Sequence, residues 1–336
     1  MNNKFRTLVM AICITIIFSN TLLSSEAGEG IDKEFLVKSG GAELYLKVRG
    51  LDMKKPVLLY LHGGPGEANG PLLFQAYAGP VLEKHFVVAY LHQRGTCISP
   101  AVSAKTLTIK YFIGDVHNTV GFLQKRFHRD KVFLLGHSFG GSLGFLYLLE
   151  HEDNIEKFVC AGGAFSMAAI EGNGYRSVME MAKKAGDDYA VKRLNEIGTP
   201  PYKTFMEGMV WRMLGMNLLA KMNEGLDKNF DMSKVISITG IEKIDPGWMN
   251  KSMVIASTMW KELGTINIEE QVKNISIPLL LIIGAKDIMV PFRILEKGYK
   301  NYGGPKEYLI LEKSNHMMYV DEPELFVTKV IEFIQK

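Results

Sequence analysis

Short, unbroken apolar runs punctuate this chain at Val57 to Leu61, Phe86 to Leu91, Val132 to Leu135, Phe158 to Ala161 and Leu279 to Ile283. Runs of that length without polar alternation fit strands covered on both faces, as in a parallel sheet. Upstream, Glu34 to Lys38 and Glu43 to Val48 alternate apolar and polar positions around Gly40-Gly41, which is the pattern of an antiparallel hairpin. Between several runs the apolar residues recur at three and four, most clearly from Ile109 to Phe127, and predict helices. A hairpin followed by alternating strands and helices predicts an α/β fold with a mostly parallel central sheet and an antiparallel N-terminal edge.

The alternation stops after Gly163. From 164 to 274 the chain shows helix-like segments and no run that fits a parallel strand, and it is rich in methionine, including Met167, Met179, Met181, Met206, Met209, Met213, Met216 and Met222. This stretch reads as an inserted helical cap, with its methionines as adaptable packing material rather than a cofactor box. Gly198-Thr199-Pro200-Pro201-Tyr202 must interrupt any helix there, because prolines remove donors and restrict the preceding residue. The strand and helix pattern resumes with Leu279 to Ile283, a helix from Phe292 to Tyr299, a strand from Glu307 to Leu311 and a helix from Glu322 to Ile334. The expected core is therefore one domain built from 28–163 and 275–336, with 164–274 nested in it.

The first residues read differently. Lys4 and Arg6 precede an apolar stretch from Leu8 to Phe18, and a polar region ends in Ser25-Glu26-Ala27, with small residues where a signal peptidase cuts. The expectation is a secretory signal over 1–27, cleaved after Ala27, and a secreted or periplasmic mature chain beginning at Gly28. The apolar stretch falls short of the roughly 20 residues that span a bilayer, so no membrane span is expected in the mature chain. Cys97 and Cys160 would remain, either as a disulfide or as two separate buried thiols. The 336 residues, 47% hydrophobic and 22% charged, suit a globular protein, and a net charge of +3 without a basic block interleaved with aromatics argues against a nucleic-acid partner.

Candidate chemistry enters with Gly136-His137-Ser138-Phe139-Gly140, between the run Val132 to Leu135 and the helical segment Ser142 to Glu150. A strand entering Gly-x-Ser-x-Gly and leaving as a helix makes a sharp turn that displays the serine hydroxyl, and the flanking glycines avoid clashes there. Ser138 is thus a candidate nucleophile. A serine needs a base and an orienting acid. Asp287 lies just past the run Leu279 to Ile283, and His316 follows the last strand, giving the chain order nucleophile, acid, base. Asp287 could instead cap a following helix, with Asp321 as a nearby substitute acid. The loop His62-Gly63-Gly64-Pro65-Gly66 after Val57 to Leu61 is the second motif, and the N–H groups of Gly64 and Phe139 are candidates for an oxyanion hole. No His-x-x-x-His or Cys-x-x-Cys spacing is present, so neither metal nor organic cofactor is expected.

With the His-Gly-Gly-Pro-Gly loop, a Gln93-Arg94-Gly95 loop after the next strand and the Gly-x-Ser-x-Gly-Gly turn, the chain resembles the proline iminopeptidase (prolyl aminopeptidase) family of serine peptidases within the α/β hydrolases. The resemblance implies a cap-covered pocket that takes a free N-terminal residue, often proline, and cleaves the bond after it. It also implies cap glutamates that hold the substrate's amino group, for which Glu171, Glu180 and Glu207 are candidates by region. Departures are His92 where the family has Asp, Thr96-Cys97-Ile98-Ser99 without a second glycine, and Phe139 where the peptidases carry Trp.

The expected activity is a serine hydrolase acting through an acyl-enzyme, releasing an N-terminal residue from small peptides. An esterase or lactonase on the same machinery is the alternative, since specificity lies in the cap. A serine at the turn disfavours dehalogenase and epoxide hydrolase chemistry, which use aspartate there. A non-catalytic binding protein is a third reading, and an intact nucleophile, acid and base argue against it. The pattern leaves the oligomeric state open.

Overall fold

A computed structural model describes residues 28–222, 230–241 and 245–336; the expected signal segment lies outside them. The chain opens on a hairpin, β1 (Ile31–Ser39) and β2 (Ala42–Gly50), in which Ser39 faces Ala42. The two loop residues between them, Gly40 and Gly41, both have positive φ, the requirement of a tight turn that follows the strand twist.

Six further strands complete an eight-stranded sheet: β3 (Val57–Leu61), β4 (Val87–Leu91), β5 (Val132–His137), β6 (Ile155–Ala161), β7 (Leu279–Gly284) and β8 (Lys306–Leu311). Their order across the sheet is β1-β2-β4-β3-β5-β6-β7-β8. β2 runs antiparallel to β1 and β4, and all later pairs are parallel. β3, β4 and β7 are buried along their full lengths, which accounts for their unbroken apolar runs.

The sheet's period of two divides the core. Val57, Leu59 and Leu61 pack into one apolar cluster and Leu58 and Tyr60 into another. Helices α1 (Gly70–Tyr77) and α2 (Gly79–Leu82) belong to the second cluster, whereas α3 (Ile109–Phe127) and α4 (Phe139–His151) cover the first.

Between β6 and β7 stand α5 (Met167–Ala185), α6 (Asp188–Ile197), α7 (Phe205–Lys221), α8 (Met232–Thr239) and α9 (Pro246–Leu263). Gly198, at φ 69, and Pro200-Pro201 separate α6 from α7. The entrance and exit of this segment are tied together: Met167 N donates to Ile266 O and Ile268 N to Phe165 O, around an isolated bridge between Ser166 and Asn267. The helices also grip the loops beneath them. Lys251 Nζ donates to Cys97 O and Ser99 O, Ser252 Oγ donates to Gly66 O, and Arg293 reaches Asn173 and Ser177.

After β7 the expected helix from Phe292 is a 3-10 turn, Phe292–Ile294, followed by α10 (Glu296–Asn301). The final helix begins one residue later than expected. A short turn, α11 (Met318–Asp321), ends at Glu322, and Pro323, pre-set for a first helical position, opens α12 (Pro323–Gln335). Cys97 and Cys160 are separate buried thiols, with burial pushing both up to about 12. Among the described residues no helix is long and apolar enough to cross a membrane.

The Gln93-Arg94-Gly95 loop has a structural centre. Arg94 is fully buried, donates from Nε to Asp115 Oδ2 at 2.7 Å on α3, and lies over the Tyr111 ring. Burial pushes the Asp115 carboxyl up and the guanidinium pulls it back. Removing one partner of a buried ion pair strands the other charge. Asp115→Ala is expected to cost about 3–5 kcal/mol in urea unfolding; a loss under about 1 kcal/mol would contradict this role for the pair.

Candidate active site

Ser138 sits between β5 and α4 at φ 53 and ψ −121, a conformation that side chains rarely adopt. The turn tolerates no larger neighbours. A methyl group on Gly140 would lie 2.1 Å from Leu61 O, and one on Gly136 2.3 Å from Gly140 O. Ser138 N is held by Ala161 O at 2.8 Å. The Phe139 N–H opens α4 and therefore has no intrahelical acceptor.

The structure brings the three predicted residues together from the ends of three strands. Ser138 Oγ is 2.9 Å from His316 Nε2, and His316 Nδ1 is 2.7 Å from Asp287 Oδ2. Asp287 is almost fully buried, and its Oδ1 accepts from the Met289 and Val290 N–H groups at 2.7 and 2.9 Å. Burial pushes this carboxyl up, but the imidazole and the two N–H groups outweigh it and leave it below the usual carboxylate range. Burial pulls His316 down, yet Asp287 dominates and leaves the imidazole above its usual value.

Asp321, the substitute acid, serves the loop: its Oδ2 accepts from Asn315 N at 2.8 Å. His137 also holds that loop. Its Nε2 donates to His316 O at 2.9 Å, and burial depresses its pKa to about 3, so the ring is neutral. The residue before Ser138 thus anchors the backbone of the imidazole that faces it.

Gly64 is exposed at φ 114, and among the described residues its N–H has no protein acceptor. Its loop is locked to the neighbouring one. Gln93 Nε2 donates to His62 O at 2.7 Å, and Gln93 N donates to His62 Nε2 at 3.2 Å. Since Nε2 accepts, the His62 proton is assigned to Nδ1, which lies 2.9 Å from Gly63 O.

The three cap glutamates part company. Glu171 is buried and paired with Arg212 of α7, and its Oε2 accepts from Trp211 Nε1 at 2.9 Å. Glu207 belongs to a capping box with Thr204, a role signalled by their spacing. Glu180 faces solvent. A cavity of about 950 Å³ bounded by Glu171, Tyr175, Pro200, Tyr202 and Trp260 lies within these helices without touching Ser138.

Two charged residues that sequence reasoning missed bear on His316: Glu67, which raises its pKa, and Arg212, which lowers it. Glu67 directly follows the glycine loop, and an acid in that setting was the available signal. For Arg212, a lone guanidinium on a methionine-rich helix offered none.

A hydroxyl, imidazole and carboxylate in relay, with the serine on a strand-to-helix turn of a mostly parallel sheet, define an α/β hydrolase. Residues 54–324 match the family described as "Serine aminopeptidase, S33", and the chain belongs to that family. It is similar to a probable aminopeptidase, YbaC, of Bacillus subtilis, with 26% identity over 297 residues covering 85% of this chain and 91% of that protein. A proline iminopeptidase of Saccharolobus solfataricus is 22% identical over 302 residues, covering 88% and 90%. Among solved structures, the proline iminopeptidase of Mycobacterium smegmatis superposes with a TM-score of 0.60 at 16% identity, covering 90% of this chain and 98% of that one.

Proton transfer from Ser138 needs a neutral imidazole, so Ser138 reactivity is expected to fall as pH drops through the raised pKa of His316. Asp287→Asn removes the charge that supports the imidazolium. It is expected to cut kcat for p-nitrophenyl acetate about a thousand- to ten-thousandfold, and a loss under tenfold would contradict the relay.

Proposed function

We propose that this protein is a serine aminopeptidase of the iminopeptidase type, releasing the N-terminal residue of small peptides through an acyl-enzyme on Ser138. The observation that carries the reading is the relay from Asp287 through His316 to Ser138, at 2.7 and 2.9 Å. His316 takes the Ser138 proton as Oγ attacks the carbonyl carbon. The tetrahedral oxyanion is held by the N–H groups of Gly64 and Phe139. When the intermediate collapses, the C–N bond breaks and His316 gives the proton to the departing amine. Water, deprotonated by the same imidazole, then attacks the acyl-enzyme and frees the amino acid and the serine hydroxyl.

Family membership and the aminopeptidase names among the relatives support a peptide substrate. One observation favours the second reading, an esterase. Two of the three expected ammonium-holding acids are engaged elsewhere, since Arg212 neutralises Glu171 and Glu207 caps a helix, and the third, Glu180, faces solvent. The proposal also includes export, on the pattern of residues 1–27, and N-terminal sequencing of secreted protein should begin at Gly28.

The two readings separate on a free amine. Prolyl and alanyl arylamides are expected to exceed their N-acetylated counterparts in kcat/KM by about tenfold or more, since a desolvated ammonium–carboxylate contact is worth at least that. Equal rates with and without the free amine, alongside fast ester hydrolysis, would overturn the peptidase reading in favour of the esterase.

A further inference from the structure

Beside the Gly63-Gly64 loop stands a carboxylate with no part in the relay. Glu67 folds back so that its Oε2 accepts the Gly63 N–H at 3.2 Å. Two absent side chains make room for it. A methyl group on Gly70 would lie 2.4 Å from Oε2, and one on Gly63 would lie 3.0 Å from it. That same methyl on Gly63 would lie 3.1 Å from Ser138 Cβ. Acid and nucleophile therefore flank one glycine, which leaves no space between them for a longer residue.

Glu67 is half-buried, and the hydration it loses pushes its carboxyl up, with His316 and the Gly63 N–H pulling it partly back. Its position gives that cost two returns. Accepting the Gly63 N–H restrains the loop immediately before Gly64, whose φ of 114 only glycine adopts readily. When ionised, Glu67 also acts electrostatically on the His316 imidazole, which must become positive when Ser138 loses its proton.

We propose that Glu67 is a positioning residue of this site, holding the Gly63 N–H so that the Gly64 N–H keeps its aim while its charge supports His316 through proton transfer. The inference rests on the assignment of Ser138, His316 and Gly64 made above. Glu67 forms no bond to substrate, and the proton passes only from Ser138 Oγ to His316 Nε2 and on to the leaving group.

The groups bearing on His316 set the direction of the test. Asp287 from the loop after β7 and Glu67 from the loop after β3 raise its pKa, and Arg212 from α7 lowers it. His137, at the end of β5, is neutral. Removing the Glu67 charge therefore lowers the His316 pKa. The acid limb of Ser138 reactivity then moves to lower pH.

The experiment follows the rate of Ser138 modification by a fluorophosphonate probe against pH, which needs no knowledge of the natural substrate. In Glu67→Gln the amide oxygen still accepts the Gly63 N–H. Its plateau rate should stay within about threefold of wild type, and its acid limb should fall by about half a pH unit. Glu67→Ala loses the acceptor as well, and its plateau should drop about ten- to a hundredfold. An unshifted acid limb in Glu67→Gln overturns the inference, as does a wild-type plateau in Glu67→Ala. Should Glu67→Ala fail to fold, as judged by its thermal melt, the Glu67→Gln profile decides alone. A wild-type chain that does not react overturns the acyl-transfer reading itself, an outcome distinct from a reactive enzyme whose profile ignores Glu67.

Discussion

Everything at this site depends on how closely β5 and α4 approach the end of β3. Gly140 lies so near Leu61 O that no side chain fits between them, and the turn this permits places Ser138 at φ 53. A non-glycine residue held there costs about 1–3 kcal/mol. Surrounding structure maintains the turn through the Ser138 N to Ala161 O bond and the burial of α4. The same approach sets Ser138 beside Gly63, and through that glycine beside Glu67.

Buried polar contacts then bring separate loops into register. His137 ties β5 to the His316 loop, Gln93 and His62 tie the loops after β4 and β3, and Asp287 ties β7 to His316. None of these side chains could be left unpartnered at such depth without a desolvation penalty. Their pairing is what makes the geometry specific. From above, α9 reaches the same loops through Lys251 and Ser252.

Much of this was legible because Ser138 and Asp287 each lie just past an apolar run and His316 lies in the loop after the last strand. Ser138, Asp287 and His316 could be placed in loops after strands from the sequence, and a mostly parallel sheet with an antiparallel edge followed from which runs lacked alternation. What was illegible depends on contacts between distant segments. Glu171 looked like a free carboxylate until Arg212 and Trp211, from another helix, were seen to occupy it. Glu67 looked like a loop residue until its carboxylate was seen packed against Gly63 and Gly70. A second thiol could not be assigned or denied a partner from spacing alone, and only the fold separates Cys97 from Cys160.

The central claim is that Ser138 carries the acyl group. Rapid acid quenching during turnover of an activated ester, followed by peptide mass mapping, tests it most directly. The account predicts an acyl mass increase confined to the peptide containing Ser138, disappearing in Ser138→Ala. Acylation of any other residue, or turnover that persists in Ser138→Ala, would contradict it.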